Sequence, residues 1–113
     1  MAASTPLVQH QHLFLPNDDV PLCLVGSPTW FTWLATARAF RFCTSKTLDF
    51  YRGTGPTLLP ISLHKESRRR GHFWYAYRRQ SGRLYKRYAG RSEQLTLETL
   101  NQLANLLYFC DDP

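Results

Sequence analysis

Ten of the fourteen Lys and Arg side chains fall between residues 64 and 91: Lys65, Arg68, Arg69, Arg70, Arg78, Arg79, Arg83, Lys86, Arg87 and Arg91. Glu66 is the one acid in this stretch, which therefore carries a net charge of +9 against +6 for the whole chain. Residues 92–113 hold four acids and no Lys or Arg. Charge segregated in this way builds a positive potential over one region and attracts polyanions. Phe73, Trp74, Tyr75, Tyr77, Tyr85 and Tyr88 are interleaved with the cations. Arginine forks clasp phosphates and read guanine edges, and a two-stranded ribbon fits the major groove. Aromatic rings stack on unpaired bases, which favours single strands or RNA. The composition points to non-catalytic nucleic-acid binding, DNA ahead of RNA. The alternative is a protein-interaction or sensory module docking on an acidic partner. The plainest competing account is a solvated basic face whose aromatics are core.

Signals for catalysis or cofactor binding are nearly absent. No HExxH, P-loop or recognisable Ser/His/Asp frame occurs. Gly53-Thr54-Gly55-Pro56 lacks the third glycine and the helix start of a dinucleotide loop and reads as a turn. His10 and His12 could ligate a metal only from a strand, and their surroundings do not read as one. Cys23, Cys43 and Cys110 are odd in number, widely spaced and without a CxxC pair, which predicts free thiols rather than disulfides or zinc. No cofactor is expected. No apolar run approaches the ~20 residues of a membrane span, and Met1–Gln9 has no basic residue to open a secretory signal. A cytoplasmic domain is the expectation.

The elements that must position the cations are legible from periodicity. Residues 72–79, HFWYAYRR, form the strongest strand candidate, and residues 83–89 return as its partner after Gln80-Ser81-Gly82. Residues 39–44 and 58–66 read as further strands, with Pro60 at a beginning or an edge. Arg68 to Gly71 reads as a basic loop, and 45–57 as a loop region. Trp30, Trp33 and Leu34 share one face of a short helix over 29–37, for which Ser27 or Thr29 is the cap. Leu97, Leu100, Leu103, Ala104 and Leu107 form the apolar stripe of a helix over about 96–108. Four prolines interrupt residues 1–28, so this segment is expected to be poorly ordered; Leu13–Leu15 and Val20–Val25 are its strand candidates.

Register decides which cations share a face. A three-residue connection sets Arg79 opposite Arg83 and gives Phe73, Tyr75, Tyr77, Arg79, Arg83, Tyr85, Arg87 and Ala89 a common face. A two- or four-residue connection instead groups Phe73, Tyr75, Tyr77, Leu84, Lys86 and Tyr88, a set that looks more like a core. The sequence leaves both open.

Residues 30–107 also carry a resemblance. Trp30-Phe31-Thr32-Trp33-Leu34 and Phe40-Arg41-Phe42 begin it. Ile61–Gly71, the 73–79 block FWYAYRR, the 82–92 block GRLYKRYAGRS and Leu95-Thr96-Leu97-Glu98-Thr99-Leu100 complete it. Together they are similar to the N-terminal module of large bacterial LuxR-type (MalT-like) transcriptional regulators, over about two-thirds of the chain. Ala89 departs from the leucine usual there, which implies looser packing. The resemblance implies a gene-regulation setting. It implies neither ATP hydrolysis nor a helix-turn-helix, because those regions of the regulators lie beyond this stretch. The strand order also resembles the arm-type DNA-binding domains of tyrosine recombinases, which lay a sheet in the major groove; that likeness is one of layout.

The expected fold is α+β, a small antiparallel sheet of three to four strands with a C-terminal packing helix. It would comprise one basic domain over 29–110, a poorly ordered 1–28 and a tail at 111–113. Arg68, Arg69 and Arg70 would hold phosphates from a loop. Arg78, Arg79, Arg83, Lys86 and Arg87 would supply groove contacts from the hairpin, with Lys65 and Arg91 at its flanks.

Overall fold

A computed structural model describes residues 5–43, 61–80 and 82–109 of the 113-residue chain. The loop expected at 45–57, the start of the 58–66 strand, Cys110 and the 111–113 tail lie outside the described residues. The chain opens with two three-residue strands, β1 (Leu7–Gln9) and β2 (His12–Phe14). His10 and Gln11 join them with φ of 54° and 68°. Two successive positive φ values give the primed hairpin turn whose twist matches that of the strands it connects. β3 (Cys23–Leu24) then pairs with β2.

Helix α1 (Pro28–Thr36) lies one residue ahead of the span expected at 29–37. The Trp30 amide donates to Ser27 Oγ at 3.3 Å. Pro28 occupies the first turn, where its missing N–H leaves no intrahelical bond unmade. Strand β4 (Ala39–Cys43) follows, then β5 (Ile61–Arg68), β6 (Gly71–Gln80) and β7 (Arg83–Gly90). A single 3-10 turn, Ser92–Gln94, leads into helix α2 (Leu97–Phe109).

The expectation of a three- or four-stranded antiparallel sheet is corrected. Among the described residues the sheet has seven strands in the order β3-β2-β1-β4-β5-β6-β7. It is mixed, because β1 runs parallel to β4 with Leu7 opposite Arg41 and Gln9 opposite Cys43, while the other neighbours are antiparallel. The fold remains α+β. The reading of 1–28 as poorly ordered is corrected with it over residues 5–28. Residues 7–24 supply three strands, and Val8 and Leu13 are completely buried. Pro16 and Pro21 fall between β2 and β3, so they interrupt no ladder.

The core lies between one sheet face and the two helices. Val8, Leu13, Phe40, Phe42, Ile61, Leu63, Trp74 and Ala76 point into it from the strands. Trp30 and Leu34 of α1 and Leu100, Leu103, Ala104 and Leu107 of α2 close it. Burial of such side chains stabilises by roughly 1.5–3 kcal/mol each for the larger ones. Two indoles tie the layers by hydrogen bonds as well: Trp30 Nε1 donates to the Leu95 carbonyl at 2.8 Å, and Trp74 Nε1 to Ser92 Oγ at 2.9 Å. Ala89 belongs to this core at 8% exposure.

Candidate nucleic-acid interface

The β6–β7 ladder pairs Gln80 with Arg83 and Tyr77 with Lys86, which leaves two residues between the strands. Gly82 takes φ of +80°, as the turn requires. Of the two groupings that the sequence allows, this register produces the one with Phe73, Tyr75, Tyr77, Leu84, Lys86 and Tyr88 together. That set is not core. It forms the sheet face turned away from the helices, where Tyr88 is 56% and Leu84 53% exposed. Strand β5 extends the face, since Tyr77 stands opposite Ser62, Tyr75 opposite His64 and Phe73 opposite Glu66. Alternation makes this outcome a necessity once Trp74, Ala76, Ile61 and Leu63 are in the core.

Cations sit against these rings. The Lys86 ammonium lies 4.5 Å from the Tyr75 centroid and 5.5 Å from that of Tyr77. Arg68 lies 5.6 Å from Tyr75, and Arg91 4.9 Å from Phe73. Contacts of this kind are worth about 0.5–1 kcal/mol at exposed sites, enough to hold long side chains near the rings without locking them. The rings also meet one another: Tyr75 and Tyr88 are 5.5 Å apart at 64°, and Phe73 and Tyr88 6.2 Å apart at 48°.

One acid interrupts the positive face. Glu66 accepts the Tyr77 hydroxyl at 2.5 Å, pairs with Arg68, and lies 3.5 Å from the Lys86 ammonium. The Tyr77 hydrogen bond, followed by the two cations, holds its carboxyl below the usual range. Partial desolvation and then the Glu66 bond push the Tyr77 phenol up. Lys86 loses some hydration, but Tyr77 and Glu66 outweigh that loss and raise its pKa. Beside this cluster runs an open groove of about 520 Å³, lined by Ser62, His64, Glu66, Tyr77, Arg79 and Leu84 among others.

The structure gathers Arg68, Arg79, Lys86 and Arg91 around the aromatic rings and removes other expected contacts. Arg78 is corrected from a groove residue to a core residue. It is 6% exposed, its Nε donates to the Leu107 carbonyl at 2.5 Å, and its guanidinium lies 4.4 Å from the Tyr85 centroid. It thus serves the C-terminal end of α2, where a cation meets exposed carbonyls. Lys65 is likewise turned inward, donating to the carbonyls of Leu34 and Ala35 at 2.8 and 3.2 Å at the end of α1. Desolvation, with Arg38 nearby, lowers its pKa. Arg83 and Arg87 alternate with Lys86 and so lie on the helix-bearing side of β7, both exposed, with Arg83 5.8 Å from the Tyr85 centroid. Arg68 closes β5 rather than standing in a loop; the turn itself is Arg69 and Arg70, both exposed.

The sequence named the rings and Glu66 without placing them on one face, and it did not single out His64. Their signal was present in β5, where buried Ile61 and Leu63 alternate with Ser62 and His64 and identify the opposite face as wet. His10 lies in a turn and His12 on β2, and among the described residues no three His, Cys, Asp or Glu gather to hold a metal. Among those residues no helix is long and apolar enough to cross a membrane. The molecule is thus an α+β domain with helices on one sheet face and a basic, aromatic opposite face. Comparison of the chain with protein-family models, curated proteins and solved structures gave no match.

Proposed function

We propose that this chain is a non-catalytic nucleic-acid-binding module and that the face of β5, β6 and β7 turned away from the helices is its interface. One observation carries the reading: Phe73, Tyr75 and Tyr77 stand in a row on that face, each with a cation within 5.6 Å of its ring. Cations supply affinity for the phosphate backbone, and rings supply contact with bases. Arg69 and Arg70 extend the positive potential from the adjacent turn. The gene-regulation setting implied by the resemblance to LuxR-type regulators belongs to the same proposal, and so does a location in the cytoplasm.

Titration of labelled oligonucleotides at two salt concentrations tests it. Four cations on phosphates give a slope of log K against log salt of about −3 on a single strand. Arg79→Ala should flatten that slope by roughly one charge. Absence of binding at low salt rejects the reading.

A second reading, docking on an acidic protein, draws on β7. It ends the sheet order and carries Arg83, Lys86 and Arg87. An acidic segment could add to it as a further strand. Binding to an acidic peptide with none to nucleic acid would favour it.

A further inference from the structure

The kind of nucleic acid follows from what occupies the centre of the face. A groove reader puts hydrogen-bonding side chains there, because base edges in a duplex present donors and acceptors. Here the centre is Phe73, Tyr75, Tyr77 and Tyr88, and long, flexible cations lie over the rings, so that a base arriving on a ring face displaces a cation towards the phosphates. Rings gain most from base faces, and a duplex hides its base faces in the stack.

Spacing supports the same conclusion. Phe73, Tyr75 and Tyr77 alternate along β6, so successive rings are displaced by about 6.8 Å along the strand. That is twice the 3.4 Å per nucleotide of a stacked duplex strand. It suits a chain whose bases have been drawn apart. The tilts of 48° and 64° between Tyr88 and its two neighbours mean that the rings offer separate faces rather than one continuous platform. Each ring can then receive its own base.

We infer that this face takes an unpaired nucleic-acid strand laid along β6, with successive bases on Phe73, Tyr75 or Tyr88, and Tyr77, and phosphates on Arg68, Lys86, Arg79 and Arg91. The inference rests on the nucleic-acid reading above and narrows it. Glu66 marks where the strand must displace an internal anion, since its carboxylate already engages Arg68 and Lys86. The ammonium of Lys86, released from Glu66, stays within reach of two of the rings and can follow a phosphate.

The experiment is fluorescence anisotropy with a labelled twelve-nucleotide DNA strand, the same strand annealed to its complement, and the ribonucleotide version of each. The single strands should bind at least tenfold more tightly than their duplexes at equal salt. Tyr75→Leu should weaken single-strand binding by roughly tenfold and duplex binding by less than twofold. Tyr88→Leu guards against misfolding, because Tyr88 is more than half exposed, and it should show the same selectivity. Duplexes that bind as tightly as single strands, or ring variants that leave single-strand binding unchanged, overturn this inference while the broader reading survives. No binding to any of the four probes overturns both.

Discussion

Tyr77 on β6 donates to Glu66 on β5 across the ladder at 2.5 Å, on a face otherwise dominated by cations. The bond places a fixed negative charge between Arg68 and Lys86, where an incoming phosphate would sit. Glu66 is therefore a structural tie between strands and, on the proposed reading, a competitor for ligand.

Glu66→Gln should tighten binding of any polyanion by several-fold, because the amide no longer neutralises Arg68 and Lys86. The wild type should show a pH dependence that the variant lacks. Glu66 has a lowered pKa, so its ionised form favours the folded state above the usual carboxylate range. That contribution is lost as pH falls through the lowered value. A bound phosphate disfavours the ionised form, so binding takes up a proton and strengthens as pH falls towards that value. Anisotropy titrations from neutral pH down through the lowered carboxyl range check this; a flat profile for both proteins over that whole span contradicts it.

Adjacent arginines should separate cleanly. Arg78→Ala should lower stability by roughly 1–3 kcal/mol, because a buried guanidinium on the Leu107 carbonyl and the Tyr85 ring is lost. Arg79→Ala should leave urea stability within about 0.5 kcal/mol and weaken oligonucleotide binding. Chemical denaturation beside a binding titration for each variant shows whether the roles are reversed.

That pair also shows how far the sequence could be read. Helix α1 with a cap at Ser27 or Thr29, the apolar stripe of α2 and the β6–β7 hairpin were legible, because each rests on local periodicity or local turn chemistry. The register was not legible, since a loop of two or three residues is equally compatible with Gln80-Ser81-Gly82. A shift of one residue exchanges the surroundings of Arg83 and Lys86. Strands β1 to β3 escaped detection as a sheet because two or three residues cannot display alternation. The parallel union of β1 with β4 joins segments more than thirty residues apart and leaves no local mark.

Those short strands should nevertheless matter to stability. Leu13→Ala removes a completely buried side chain and should cost about 2–5 kcal/mol, as should Leu100→Ala in α2. Equal losses in urea denaturation would place the N-terminal strands in the same cooperative unit as α2. A loss below about 1 kcal/mol for Leu13→Ala would make them an appendage.

Gly90 ends β7 with φ of +109°, and a Cβ there would stand 2.5 Å from Gln94 Oε1. That oxygen accepts the Arg91 amide at 2.8 Å, so its displacement also loosens the chain just before α2. Gly90→Ala should destabilise by about 1–3 kcal/mol. Gln94→Ala should not rescue it, because the backbone strain remains; full recovery in the double variant would show that the side-chain clash alone was at fault.

The most direct test of the interface is a backbone-amide chemical-shift map of the labelled protein titrated with an unlabelled twelve-nucleotide single strand. Progressive shifts centred on Phe73, Tyr75, Tyr77, Lys86 and Tyr88, with little change in α1 and α2, are the result expected if the face turned away from the helices binds nucleic acid. Shifts confined to the helices or to Arg83 and Arg87, or none at saturating strand and low salt, would contradict it.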